Sequence, residues 1–141
     1  MLISPVFIVI ISMFVQTTLT FWIMIIMGRR RFEAAREGNL KKEDFKTMQL
    51  NHAPEAVLLA SRNFENQFEV PVLFFVVALL ALHLNNAGWF FAISSLLFVV
   101  TRIAHSIVHI TNNHIKTRFR LFLIGCGLVF LQWLSLLVTL I

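Results

Sequence analysis

The chain has 141 residues, 58% hydrophobic and only 13% charged, with a mean hydropathy of +0.81. Soluble domains are about half apolar and a quarter charged, and crossing a hydrocarbon core of about 30 Å takes about 20 mostly apolar residues. Four stretches meet that requirement, which leaves little chain for a separate soluble domain. A net charge of +5 invites a nucleic-acid reading, but placement argues against it: all twelve Lys and Arg fall within 29–62 or 102–120, in two loops and the helix ends beside them.

The first predicted span covers residues 2–28. No Lys or Arg precedes its apolar run, and Arg29-Arg30-Arg31 follows it, which suits an uncleaved anchor better than a cleaved signal peptide. The loop at 29–55 mixes seven basic residues with five acidic ones, the last of them Glu55 at its end. Within it Gly38-Asn39 reads as a helix C-cap, and residues 41–48 read as a short amphipathic segment at the membrane surface. Arg29 and Arg30 suit anchoring by anionic headgroups.

The second span, 56–84, is the least uniform, because Arg62, Asn63, Glu65, Asn66, Gln67 and Glu69 occupy its first half. Pro71 ends that polar part, and a proline kink is tolerated in a membrane helix when neighbours satisfy the freed carbonyl. Asn85-Asn86-Ala87-Gly88 carries no charge and reads as a tight turn, with Trp89 at the membrane interface. The third span, 89–111, holds Arg102, His105 and His109. A basic loop at 112–118 leads to the fourth span, 119–141. Cys126 is the only cysteine, so no intrachain disulfide forms, and its place in Gly125-Cys126-Gly127 suits packing. The positive-inside rule puts both basic loops in the cytoplasm and both termini on the other side. The fold class is therefore an all-α membrane protein, a single four-helix transmembrane domain over residues 1–141.

Charged and strongly polar groups within spans are expensive and by default mark a functional site. Arg62, Asn66 and Glu69 follow i, i+4, i+7, so a continuous helix sets them on one stripe that Asn63 and Gln67 flank. The stripe offers a guanidinium for a carboxylate, an amide for backbone-like groups and a carboxylate for an ammonium, the needs of a zwitterionic peptide. The competing reading is a closed interhelical hydrogen-bond network. Arg102, His105 and His109 repeat the spacing on span three and return to the same membrane face. His105 and His109 could share a metal, but only His114, Glu69 or His52 would complete the ligand set, and no metal is expected. Contact with substrate and satisfied interhelical packing both remain open for the two histidines. Arg118 and Arg120 begin the fourth helix. A cation there lowers the pKa of a nearby thiol, or else belongs to the positive-inside cluster.

These motifs resemble the MAPEG family, the membrane-associated proteins of eicosanoid and glutathione metabolism, with the pattern Arg62-Asn63-Phe64-Glu65-Asn66-Gln67-Phe68-Glu69-Val70-Pro71 closest to its bacterial branch. Arg62-x3-Asn66-x2-Glu69 is similar to the glutathione-holding stripe of helix two. Arg102-Ile103-Ala104-His105-Ser106-Ile107-Val108-His109, followed nine residues later by Arg118, is similar to the prostaglandin E synthase branch. The resemblance implies a homotrimer in the bacterial inner membrane, with glutathione as cosubstrate bound between neighbouring subunits near the cytoplasmic face. It implies that Arg31, Arg62, Asn66, Glu69, Arg102 and His105 hold the tripeptide. Arg118 would activate its thiol, with His109 contacting sulfur or substrate. The chain departs from the family in placing His109 where eukaryotic members have tyrosine, in an acidic Glu65 at a basic position, and in Pro71 lying two rather than four residues after Glu69. The expected activity is glutathione-dependent transfer to, or peroxidase action on, a lipophilic small molecule or lipid. The alternative is a non-catalytic lipid-binding or scaffold protein of the same fold.

Overall fold

A computed structural model describes residues 4–48, 50 and 52–140. The outer ends of the first and last expected spans, residues 2–3 and 141, lie outside the described residues. Six α-helices follow in order: α1 (Pro5–Arg36), α2 (Lys42–Thr47), α3 (Glu55–Glu65), α4 (Val70–His83), α5 (Trp89–Ile110) and α6 (Ile115–Leu140), with a 3-10 turn at Asn66–Phe68 between α3 and α4. Helices α1, α5 and α6 are each long and apolar enough to cross a membrane, as is the α3–α4 unit over Glu55–His83. The described residues contain no strand.

Local chemistry sets the helix ends. Ser4 Oγ accepts from the Phe7 N–H (3.2 Å) and Pro5 takes the first position of α1, where its missing donor costs little. Gly28 is tolerated inside the helix and no proline follows Pro5 until Pro54, so α1 runs for 32 residues, about 48 Å, and carries the basic triplet as ordered helix. Gly38 then enters the left-handed region at φ 79°, and the Asn39 N–H returns to the Ala34 carbonyl (2.9 Å), closing the expected C-cap. The short surface helix α2 sets Phe45 against a small cluster of Ala34, Leu40, Leu50, Ala53 and Val57.

Span two is not one continuous helix. Pro71 has no N–H for the Gln67 carbonyl, and its ring would clash with that carbonyl in an unbroken α-helix. The chain instead tightens into the 3-10 turn and restarts at Val70, with the Val72 N–H on the Glu69 carbonyl (3.1 Å). Helix α5 is the most buried span and packs against α1, α3 and α6, while α4 leans on α6 and α1. The apolar core joins Val9, Phe74, Val77, Ala78, Ala81, Phe91, Ala92, Phe98, Val99, Val129 and Leu136, with the Phe74 and Phe98 rings 4.6 Å apart. At Gly125 an added Cβ would lie 3.3 Å from Thr101 Oγ1, so this glycine lets α6 approach α5 closely. Large apolar side chains such as Phe14, Phe21, Leu79, Ile93 and Phe130 face outward, as a lipid-facing surface requires.

A buried polar layer crosses this core. Gln67 Nε2 donates to the Asn63 carbonyl (3.0 Å), to Asn63 Oδ1 (3.2 Å) and to Ser106 Oγ (3.2 Å), and Gln67 Oε1 accepts from Gln16 Nε2 (3.1 Å). Asn63 Nδ2 donates to the Ser106 carbonyl (3.2 Å). Helices α1, α3 and α5 are thereby tied at one depth. Nearer the other end, Gln132 Nε2 on α6 bridges Ser94 Oγ (3.1 Å) and Ser95 Oγ (2.9 Å) on α5. Interhelical hydrogen bonds in membrane proteins contribute about 0.6 kcal/mol each, up to about 1.7, and orphaning a buried partner costs about 1–3 kcal/mol. Gln67→Ala is therefore expected to destabilise the protein by about 1–2 kcal/mol in detergent, whereas Arg62→Ala, on the exposed face of α3, stays within about 0.5 kcal/mol. Thermal unfolding of the two variants checks this. Equal losses would mean that α3 does not divide its polar residues between network and surface.

Candidate functional site

One face of α3, continued through the 3-10 turn, presents Glu55, Leu58, Leu59, Arg62, Glu65, Asn66 and Glu69, an i, i+3/i+4, i+7 succession. With His105 and His109 of α5, Asn113 of the following turn, and Ile115, Arg118, Phe119 and Phe122 of α6, these residues line an open cavity of about 660 Å³. Small-molecule sites typically measure about 300–1,000 Å³.

The structure brings together six of the residues singled out from sequence: Arg62, Asn66, Glu69, His105, His109 and Arg118 all line the cavity. Arg102 does not. It lies behind the wall at 1% exposure and donates from Nη2 to the Asn66 carbonyl (3.0 Å), clamping the 3-10 turn. Arg31 is elsewhere in the chain, donating from Nη2 to Ser61 Oγ (2.9 Å) on the buried face of α3. Its stem lines a second, apolar pocket of about 360 Å³ with Met27, Gly28, Phe32, Ala35 and Phe45. Arg120 is exposed and outside the lining. Asn63 and Gln67, the expected flankers, are committed to the buried network.

Among the described residues the side chains of Arg62, Glu65, Asn66 and Glu69 make no hydrogen bond or ion pair. Their donors and acceptors are open to a ligand. His105 and His109 are buried edge-to-face with ring centroids 5.7 Å apart, and none of their four ring nitrogens has a partner among the described residues. No three His, Cys, Asp or Glu side chains there form a metal-binding group.

Two residues support this site without having been assigned to it from sequence. Asn113 adopts φ 47°, a left-handed conformation that Asn tolerates, and its N–H caps α5 on the Val108 carbonyl (2.8 Å). Its Oδ1 accepts from Arg118 Nη1 (2.6 Å), fixing the guanidinium at the cavity wall. An Asn just past an apolar run and five residues before an arginine was the available signal. Arg30, read from sequence as a headgroup anchor, donates from Nη1 to the Ala56 carbonyl (2.9 Å) and from Nη2 to the Ile110 carbonyl (3.0 Å). It braces the start of α3 against the last turn of α5, where helix carbonyls lack intrahelical partners.

The cavity thus offers guanidiniums for anions, carboxylates for an ammonium, unpaired imidazoles, and an apolar rim of Ile115, Phe119 and Phe122. A model of the MAPEG family matches residues 9–138, nearly the whole chain. The chain belongs to the MAPEG family. It is a multi-pass integral membrane protein, and its all-helical architecture with four candidate spans agrees with the MAPEG four-helix fold. No curated protein and no solved structure matches it significantly.

Asn113 yields a test of the wall in this MAPEG protein. A Cβ-bearing residue without a local polar group costs about 1–2 kcal/mol in the left-handed region. Asn113→Ala is expected to lose about that much stability, and Asn113→Gly to stay within about 0.5 kcal/mol. Chemical denaturation of both variants measures it, and equal stabilities would show that the turn does not need this conformation.

Proposed function

We propose that the chain is a glutathione-dependent transferase or peroxidase acting on lipophilic electrophiles or hydroperoxides. The observation that carries this reading is the uncommitted set of Arg62, Asn66 and Glu69, facing one open cavity with Arg118. The tripeptide carries carboxylates, an ammonium and peptide groups, and the stripe supplies a complement to each kind. Arg62 takes a carboxylate, Asn66 the peptide backbone and Glu69 the ammonium. Arg118, held by Asn113, stabilises the thiolate, since a neighbouring positive charge favours the ionised form of a thiol.

The thiolate attacks an electrophile that enters from the bilayer over Ile115, Phe119 and Phe122. His109 lies on the same wall and serves as the hydrogen-bonding group beside sulfur or substrate. In this reading both basic segments face the cytoplasm, from which glutathione enters, and the active form is a homotrimer. Arg102 contributes by clamping the turn that carries Asn66 rather than by touching the ligand.

The non-catalytic alternative requires Arg62, Asn66 and Glu69 to be locked in a closed network. The closed network is instead built from Asn63, Gln67, Ser106 and Gln16, which favours the ligand-binding reading. Arg118→Ala should lower turnover of a chlorodinitrobenzene-type electrophile by at least about 100-fold, in line with the removal of a group that stabilises developing negative charge, while leaving the oligomer intact. Turnover by purified wild type and variant decides it, and wild-type-like activity in the variant would refute the assignment.

A further inference from the structure

His105 and His109 are buried in the cavity wall, at 3% and 2% exposure, and no described residue bonds any of their four ring nitrogens. A buried polar group without a partner is rare in a folded protein and calls for a reason. Packing supplies one for His105, which is wedged between Phe122 (ring centroids 6.2 Å apart) and His109 (5.7 Å). His109 has three guanidiniums around it, Arg62, Arg102 and Arg118, and Glu69 is the wall carboxylate that acts on Arg102. Guanidiniums gathered in this way favour an anion beside the ring. Its own subunit encloses His109, so a neighbouring copy that completes the ligand site leaves these nitrogens free. Turning the ring about its Cβ–Cγ bond, a broad torsion, exchanges a carbon for a nitrogen at the cavity surface.

We propose that His109 is a catalytic proton carrier that suits the site to organic hydroperoxides, taking the thiol proton of glutathione and delivering it to the leaving oxygen. This rests on the thiol-peptide reading of the cavity and narrows it to a substrate class. The thiolate sulfur attacks the terminal oxygen of R–O–O–H, so that an S–O bond forms and the O–O bond breaks. The electron pair of the broken bond stays on the inner oxygen, which takes the proton from His109 and leaves as the alcohol. Sulfur is oxidised to a sulfenic acid and the peroxide is reduced. A second glutathione then condenses with the sulfenic acid to give the disulfide and water. Imidazole suits both halves of the transfer, because it gains and loses a proton near neutral pH. The proton reaches the ring as the thiolate forms beside it, so the net charge of the site does not change. Conjugation of a chloroaromatic asks less of His109, since chloride leaves without a proton.

The test measures cumene hydroperoxide reduction, chlorodinitrobenzene conjugation and glutathione affinity on the detergent-purified full chain, on His109→Phe and on His109→Gln. Phenylalanine keeps a flat ring against His105, and glutamine keeps an N–H donor but has no proton to give up. Hydroperoxide reduction is expected to fall at least about 100-fold in both variants, against about fivefold or less for conjugation and affinity. If His109→Phe does not fold, His109→Gln decides alone. Equal losses of reduction and conjugation would overturn the proposal, because they mark a structural or binding role. Reduction that survives in His109→Gln would overturn it too, because a hydrogen bond would then suffice. A wild type that binds glutathione but reduces no hydroperoxide overturns it and leaves the thiol-peptide reading standing. If the wild type does not bind glutathione, that reading fails and the proposal falls with it.

Discussion

The site depends on how one interrupted span satisfies its polar groups within lipid. Pro71 deprives the Gln67 carbonyl of its helical partner, and the 3-10 turn at Asn66–Phe68 absorbs the defect. Hydrocarbon supplies no water to the groups such a break exposes, so protein must hold them. Arg102 does so from behind, on the Asn66 carbonyl, and the Gln67 side chain does so from within, on the Asn63 carbonyl, while also bonding Asn63, Ser106 and Gln16 side chains. The buried arginine and the buried amides thus keep the turn that carries Asn66 and Glu69 in place.

The same constraint divides the polar residues of α3 and the turn that follows it between a buried network and the cavity wall. Residues on its inner face, Asn63 and Gln67, spend their hydrogen-bonding capacity on neighbouring helices. Residues one position away, Arg62 and Asn66, project from the other face with their side chains free. Alternate use of adjacent polar residues lets one short helix both fix itself to its neighbours and line the cavity. Arg30 and Asn113 hold the remaining edges, one by bridging the ends of α3 and α5, the other by fixing Arg118 at the start of α6.

Much of this was legible in the sequence because it follows from local rules. Hydropathy pointed to four spans, Gly38-Asn39 marked the end of α1, and the 62–66–69 spacing marked the stripe that lines the cavity. What the sequence did not yield depends on tertiary placement. The division of α3 into a network face and a cavity face is set by which side meets α5, and a list of polar residues does not encode that. Arg102 and Arg31 are indistinguishable by residue type from Arg62, yet one is buried behind the wall and the other is bonded to Ser61 on the inner face of α3. Arg30 looked like a headgroup anchor because its acceptors, the carbonyls of Ala56 and Ile110, are backbone groups far away in the chain.

The central claim is that the free stripe of α3 binds a thiol peptide. The most direct measurement is calorimetric titration of glutathione into the detergent-purified protein and into Arg62→Ala, with thermal stability followed alongside. Saturable binding by the wild type, lost in the variant at unchanged stability, is the predicted result. The absence of saturable binding at millimolar glutathione, or binding indifferent to Arg62, would contradict the account.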